Sequence, residues 1–346
     1  MSAVLVTGGA GYIGSHAVKS LVRAGQRVVI YDNLSAGHLA AAEAAGGPDT
    51  ELVAGDIGDT GRMIDVFRAH GVSAVMHFAA WLSVGDSVRD PIGYYRNNVA
   101  GALSVLEAMA AAGVRHFVLS STAAVFGNPE ETPITEEHPT RPINPYGETK
   151  LAIERALPHF DRAYGIRSIA LRYFNAAGAD PDGELGEDHD PEYHVIPRAL
   201  DAAWGRVTFQ IFGNDYETPD GTCLRDFVHV TDLAAAHLLA LDALRAGAAT
   251  SVYNLGNGRP TSVRDIIEAV ERVTGRRVPY TTGPRRPGDP AVLIASSDRI
   301  KRELGWTPEY EDVATIVRTA ARWREAHPHG YGDRVGSGAP AAPPAN

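Results

Sequence analysis

Cysteine is almost absent from this chain: Cys223 is the single one in 346 residues. That excludes an internal disulfide framework and any cysteine-rich zinc site, and a reducing, cytoplasmic compartment fits. Long apolar runs are absent too. None approaches the ~18 residues that a membrane span needs, so no membrane partner is expected. The first residues, Met1 to Thr7, have no basic start and no small-residue cleavage site before a glycine cluster, so a leader peptide is not expected. Positive charge is in deficit, with 42 acidic residues against 32 basic and a formal net charge of −10. A chain of that sign is a poor partner for nucleic acid, although a local basic pocket for an anionic ligand is compatible with it. The serine-nucleophile elbow Gly-x-Ser-x-Gly is also missing.

What is present is an alternation of short apolar runs with helical stretches. Strands are read at 3–7, 27–31, 51–54, 74–78, 116–121 and 167–173. Helices are read at 13–24, 94–112 and 146–156, with Gly25 and Gly113 as stops. Pro158 is expected to kink or end the third of these. This order predicts an α/β fold, a Rossmann-type doubly wound parallel sheet covered on both faces. The second half is less regular: helices are read at 261–274 and 297–304, and the Gly-, Ala- and Pro-rich end from 330 to 346 reads as a loose tail.

Gly8, Gly11 and Gly14 join the first strand to the first helix in a Gly-x-x-Gly-x-x-Gly run that includes Tyr12 and Ile13. Such a run gives a tight turn, lets backbone approach a pyrophosphate, and offers unpaired N–H groups at a helix start. Asp32 ends the second strand, where a carboxylate accepts from a ribose 2′-hydroxyl and repels a 2′-phosphate, favouring NAD over NADP. Asp56-Ile57 and Phe78-Ala79 follow the third and fourth strands, at the sheet edge where ligands bind. Asp56 is placed to reach an adenine amino group or, equally, to cap a helix.

Tyr146 and Lys150 stand four apart, on one helix face. A phenol is a poor base at neutral pH unless a nearby ammonium stabilises the phenolate. Ser120-Ser121-Thr122 ends the fifth strand and supplies a hydroxyl. Together these compose a hydride-transfer site.

On these residues the chain resembles the extended short-chain dehydrogenase/reductases, and within them the nucleotide-sugar epimerases, from Val4 to about Tyr331. The most specific segments are 8–16, 77–80, 94–98, 171–175 and, above all, 211–232. The resemblance implies a Rossmann domain (1–175 and 226–257) and a smaller C-terminal domain for the nucleotide sugar (176–225 and 258–330), usually as a homodimer. It implies reversible NAD-dependent epimerisation at C4 of a UDP-hexose through a 4-keto intermediate, or of another UDP-sugar: an N-acetylhexosamine, a pentose or a uronic acid. Tyr146 would be the acid/base, Lys150 its partner and Thr122 the hydroxyl residue. Gly8, Gly11, Tyr12, Ile13, Gly14, Asp32, Asn33, Asp56, Ile57, Phe78, Ala79, Asn97 and Tyr173 match NAD contacts, with Tyr146 and Lys150. Asn175, His194, Phe212, Arg225, Arg286 and Asp289 match contacts to the UDP-sugar.

Two departures stand out. Trp81-Leu82 occupies the place where some members carry a lysine near the cofactor, so NAD is expected to be held less firmly. Leu293 aligns where a tyrosine can limit the size of the sugar. A 4,6-dehydratase would need an acid/base pair after Thr122, where this chain has Ala123-Ala124. A non-catalytic NAD sensor would commonly lack the tyrosine or the lysine. No metal is expected: His70, His77, His116 and His159 do not recur at ligand spacing, and His327-Pro328-His329 lies near a chain end. Cys223 and Trp306 read as packing residues.

Overall fold

The computed structural model describes residues 2–286 and 289–333. Seven strands form one parallel sheet: β1 (Ala3–Thr7), β2 (Arg27–Asp32), β3 (Thr50–Ala54), β4 (Val72–His77), β5 (His116–Thr122), β6 (Arg167–Tyr173) and β7 (Ser251–Leu255). Their order across the sheet is β7-β6-β5-β4-β1-β2-β3. The chain winds away from β1 in both directions, which opens a crevice at the carboxyl ends of β1 and β4. Six strands follow the apolar runs of the sequence. The seventh, between Gly247 and Gly256, is too short and too polar to show as a run.

Alternate residues of each strand enter opposite layers, as a period of two requires. Val4, Val6, Val28, Ile30, Ala74, Met76 and Val118 pack beneath the helices Tyr12–Arg23 and Val230–Arg245. Leu5, Val29, Tyr31, Val75, Phe117 and Leu119 pack beneath the helices Thr60–His70, Gly101–Ala112 and Pro145–Tyr164. Burying both faces explains why the strands read as continuous apolar runs.

A second core lies beyond the sheet. The helices Val195–Ala203, Val263–Thr274 and Val313–Ala326 gather Ile196, Leu200, Ile266, Val270, Ile316 and Val317 around Phe209 and Ile211. Ile300 and Trp306, from the later part of the chain, return to the sheet core, where the Trp306 indole N–H donates to the Asp232 carbonyl at 3.0 Å.

The structure departs from expectation in four places. The single helix expected over 94–112 is broken by a π-helical segment, Tyr95–Ala100, which precedes Gly101–Ala112. The helix containing Tyr146 runs to Tyr164 through Pro158; the two further turns are anchored by Leu157 and Phe160 on the sheet core, which outweighs the one lost backbone bond. Thr261-Ser262 is a short strand, and Ser262 caps the helix that follows. The chain is still anchored at 331–333. The Tyr331 hydroxyl bonds the Gly186 backbone at 3.0 Å, and the Asp333 carboxylate accepts from Ala40 N–H at 2.9 Å and meets His38 at 2.7 Å. The rest of the expected tail, 334–346, lies outside the described residues.

Candidate active site

The glycine loop sits on the crevice. Gly8 has φ +70°, and a Cβ there would come 2.6 Å from the Ala79 nitrogen. A Cβ on Gly14 would come 2.1 Å from the Gly8 carbonyl. These two glycines let the loop, the helix start and the end of β4 close on one another. Gly11 is different: a Cβ there would meet only the Gly8 carbonyl, at 3.3 Å. Its open side faces away from the protein, beside the unpaired N–H groups of the helix start. The Tyr12 phenol leaves the loop and donates to the Gly178 carbonyl at 2.7 Å, while Ile13 packs on the sheet core.

Asp32 is buried and accepts from the N–H groups of Ala10 at 3.0 Å and Leu34 at 2.8 Å. The first bond ties the end of β2 to the glycine loop. Burial raises the Asp32 carboxyl, and those backbone bonds oppose the shift. Exposed Asn33 donates to Asp56 at 2.9 Å. Asp56 caps no helix; Asp59 does, accepting from Arg62 N–H. Asp56 therefore remains on the ligand edge, with Ile57 buried beside Gly101. Phe78 packs against His237, with ring centres 4.6 Å apart and planes tilted by 39°. Asn97, on the π segment, donates to Asn98 at 2.9 Å. Asn98 is fully buried and bonds both the N–H and the carbonyl of Trp81, as well as Thr149. It fixes the 80–82 turn to the helix that carries Tyr146.

That helix begins at Pro145, and the Asn144 side chain accepts from Gly147 N–H at 2.9 Å. A Cβ on Gly147 would lie 2.5 Å from the Ala124 carbonyl. The glycine thus allows the helix start to close on the turn after β5, and Thr122 bonds the Tyr146 phenol. Burial raises the phenol above its ordinary value, and the Thr122 bond opposes that. Lys150 is buried and donates to the Ser120 carbonyl at 2.8 Å. Burial lowers its ammonium to about 8, against the attraction of Glu154. In the protein alone the Lys150 ammonium is held by the Ser120 carbonyl rather than by the phenol, and burial dominates the phenol. The Tyr173 hydroxyl bonds Ser120.

Sequence reasoning stopped at Lys150, although the same face continues. Glu154, one turn on, is buried; it accepts from Arg172 at 2.6–3.1 Å and from the Ser121 hydroxyl. Its place on that face, eight residues after Tyr146, was the one sequence signal for it; the pairing with Arg172 left none.

Across the crevice, Arg225 pairs with Asp289, and Arg286 reaches the same carboxylate at 3.1 Å. The Arg286 guanidinium lies 5.1 Å over the exposed Phe212 ring. Leu293 pairs in register with Arg225 and packs against the cluster of Ala123, Phe126 and Leu151 beside Thr122. Asn175 donates to the Asp226 carbonyl, next to Arg225. Cys223 is buried in this segment. Residues far apart in sequence thus form one line: Thr122 and Tyr146 at one end, Leu293 and Arg225 next, then Asp289, Arg286 and Phe212.

His194 departs from this line. Its Nδ1 faces Glu187 at 2.6 Å and Glu192 at 3.2 Å, beside His189. A substrate contact is left to the other edge of its ring. Burial opposes protonation of His189 and His194, but the two glutamates outweigh it and raise them to about 9 and about 10. The histidines set against a metal in the sequence do not include these two, although His194 was matched to the sugar.

A doubly wound sheet with a glycine loop, an acidic β2 end and a Tyr-Lys helix defines the short-chain dehydrogenase/reductase class. A profile of the NAD dependent epimerase/dehydratase family matches residues 4–256, and the chain belongs to that family. It is 49% identical over 332 residues to a UDP-glucose 4-epimerase of Lacticaseibacillus casei, covering 96% of this chain and 99% of the relative. It is 50% identical over 330 residues to one of Halalkalibacterium halodurans, covering 95% and 97%. Among solved structures, UDP-glucose 4-epimerase from Brucella ovis in complex with NAD superposes with a TM-score of 0.90 at 48% identity, covering 96% of this chain and 99% of that one. The Bifidobacterium longum enzyme in complex with NAD+ and UDP gives 0.89 at 38% identity, covering 95% and 100%.

Proposed function

We propose that this protein interconverts UDP-glucose and UDP-galactose by inverting C4, with NAD as a bound cofactor. The observation that carries the reading is the convergence of Tyr146 and Thr122 at one end of a line that ends in Arg225, Arg286 and Phe212. It is supported by relatives named UDP-glucose 4-epimerase at about half identity over nearly their whole length. The open side of Gly11, the helix start, Asp32, Asn33, Asp56, Phe78, Asn97 and Tyr173 would hold the cofactor, with Ala79, Ile57 and the packed glycines shaping its bed. NAD, when bound, accepts a hydride from C4 of the sugar and returns it. Tyr146 takes the O4 proton, with Thr122 bonded to its phenol, and gives it back after the 4-keto sugar has turned over. Lys150 stands one turn below, where it would bond a ribose hydroxyl of the cofactor, and a bound cationic nicotinamide would supply positive field that favours ionisation of the phenol.

Segments 176–225 and 258–330 form the nucleotide-sugar half in this reading. Arg225 and Arg286 make charge-assisted bonds to the diphosphate, Asp289 accepts from ribose hydroxyls and Phe212 packs on uracil. Asn175 and His194 flank the sugar. An acidic chain with one buried thiol, and no helix among the described residues long and apolar enough to cross a membrane, suits the cytoplasm. Exposed apolar side chains at Val88, Ile92, Tyr95 and Leu103 suit pairing with a second copy.

Purified protein incubated with a panel of UDP-sugars, with no cofactor added, is expected to convert UDP-glucose and UDP-galactose into one another, read by proton NMR. Conversion of neither, with NAD supplied as well, overturns the reading.

A further inference from the structure

Glu187, His189, Glu192 and His194 occupy the loop that leads into the helix Val195–Ala203. One ligand-type atom from each lies within 4.8 Å of the other three, and among the described residues no other group of three or more such side chains converges in this way. The separations are 2.6 Å between Glu187 and His194, 3.2 Å between Glu187 and His189, and 3.8 Å between His189 and Glu192. Four donors placed tetrahedrally at ~2.0–2.2 Å from one ion lie about 3.3 Å apart, so the observed set brackets that spacing.

A second observation points to the same centre. Glu187 Oε1, His189 Nδ1 and Glu192 Oε2 are buried and make no hydrogen bond of acceptable geometry, although they lie close together. The Glu187 side chain is only 6% exposed. Buried polar atoms are ordinarily paired. Here Glu187 Oε1 and Glu192 Oε2 both lie within 3.8 Å of His189 Nδ1, close enough to share one ion. The surroundings hold the donors in place. His194 N–H donates to Glu192 Oε1 at 2.9 Å, Arg198 donates to the Glu192 carbonyl at 3.2 Å, and Arg324 donates to the Glu187 carbonyl at 3.3 Å. The Tyr12 ring stands edge-on to His189. Such supports orient ligands in metal sites.

We propose that Glu187, His189, Glu192 and His194 bind one divalent transition-metal ion of the Zn2+ class in a structural site. Two imidazoles and two carboxylates suit Zn2+ and Co2+, whereas Mg2+ and Ca2+ take oxygen donors. Four protein donors close a tetrahedral shell, so the ion has no open position for chemistry. Its charge balances the two glutamates, in place of two protons on the histidines. Bound there, it pins residues 187–194 beside the glycine loop and fixes the start of the following helix.

The test uses the untagged full chain after chelator treatment and dialysis. Wild type is expected to take up one Zn2+ per chain, and one Co2+ with the visible absorption of a four-coordinate ion. Added Zn2+ should also raise its melting temperature. His189→Ala and Glu192→Gln should each weaken uptake at least ~10-fold, in the range that follows loss of parts of a metal site. Circular dichroism establishes that each variant is folded, and the near-isosteric Glu192→Gln keeps the test decisive if His189→Ala is not. Absence of stoichiometric uptake by wild type overturns the proposal, as does uptake that neither variant reduces. The latter would place the ion elsewhere, for instance at His327 and His329.

Discussion

In the proposed reaction Tyr146 is the proton carrier, and its environment bears on how it acts. A phenol raised by burial is inert alone, so replacing it by phenylalanine removes the proton carrier and leaves the packing. Tyr146→Phe is expected to lower turnover at least ~100-fold while the melting temperature and NAD binding stay near native. A near-native rate in that variant would remove Tyr146 from the mechanism. Leu293 tests sugar size. It stands between the Thr122 turn and Arg225, and leucine lacks the ring that would crowd an N-acetyl group. Some turnover of UDP-N-acetylglucosamine is expected, weaker than that of UDP-glucose because a few carbon atoms discriminate by only ~1–3 kcal/mol. Leu293→Tyr should reduce it and spare UDP-glucose; an equal effect on both sugars would show that Leu293 is not the gate.

At the level of elements, the glycine loop separates two roles that one motif combines. Gly14 faces backbone at 2.1 Å, whereas Gly11 faces only one carbonyl at 3.3 Å and is otherwise open. Gly14→Ala must push the helix from the loop, so thermal melts should show a loss of at least ~1 kcal/mol, in the range of overpacked sites. Gly11→Ala should melt near wild type yet bind NAD at least ~10-fold more weakly by calorimetry, because the methyl stands where a pyrophosphate would lie. Equal melting losses in both variants would contradict this division. The same scale shows what was legible beforehand. Tyr146, Lys150 and Thr122 were readable because local spacing and strand ends place them. Glu154 with Arg172 and the four-residue His-Glu cluster were not. The first pair spans two elements and takes its meaning from burial; the second cluster was passed over because its histidines are five apart and interleaved with glutamates rather than clustered. The π segment at Tyr95–Ala100 has the same apolar periodicity as a helix over so short a stretch, and its effect, presenting Asn97 and Asn98, is visible only in three dimensions.

For the whole molecule, the doubly wound order of the sheet was legible because its central strands are buried on both faces and run apolar, whereas the polar β7 gave no such run. The second core was less so, since its short strands Phe209–Phe212 and Tyr280–Gly283 are held by partners distant in sequence. Assembly belongs to this scale. Val88, Ile92, Tyr95 and Leu103 expose apolar area along one helical region, and light scattering is expected to give the mass of two chains. Ile92→Asp combined with Leu103→Glu should yield the mass of one chain, whereas a monomeric wild type would leave that surface unassigned.

In the proposed reaction hydride leaves C4 and returns to the same carbon without exchanging with water. Its most direct test is UDP-glucose carrying deuterium at C4, incubated with the protein in ordinary water and followed by NMR. UDP-galactose with the deuterium still at C4 is the expected product. Deuterium replaced by solvent hydrogen in the inverted sugar would mean that C4 loses a proton rather than a hydride, and would contradict it.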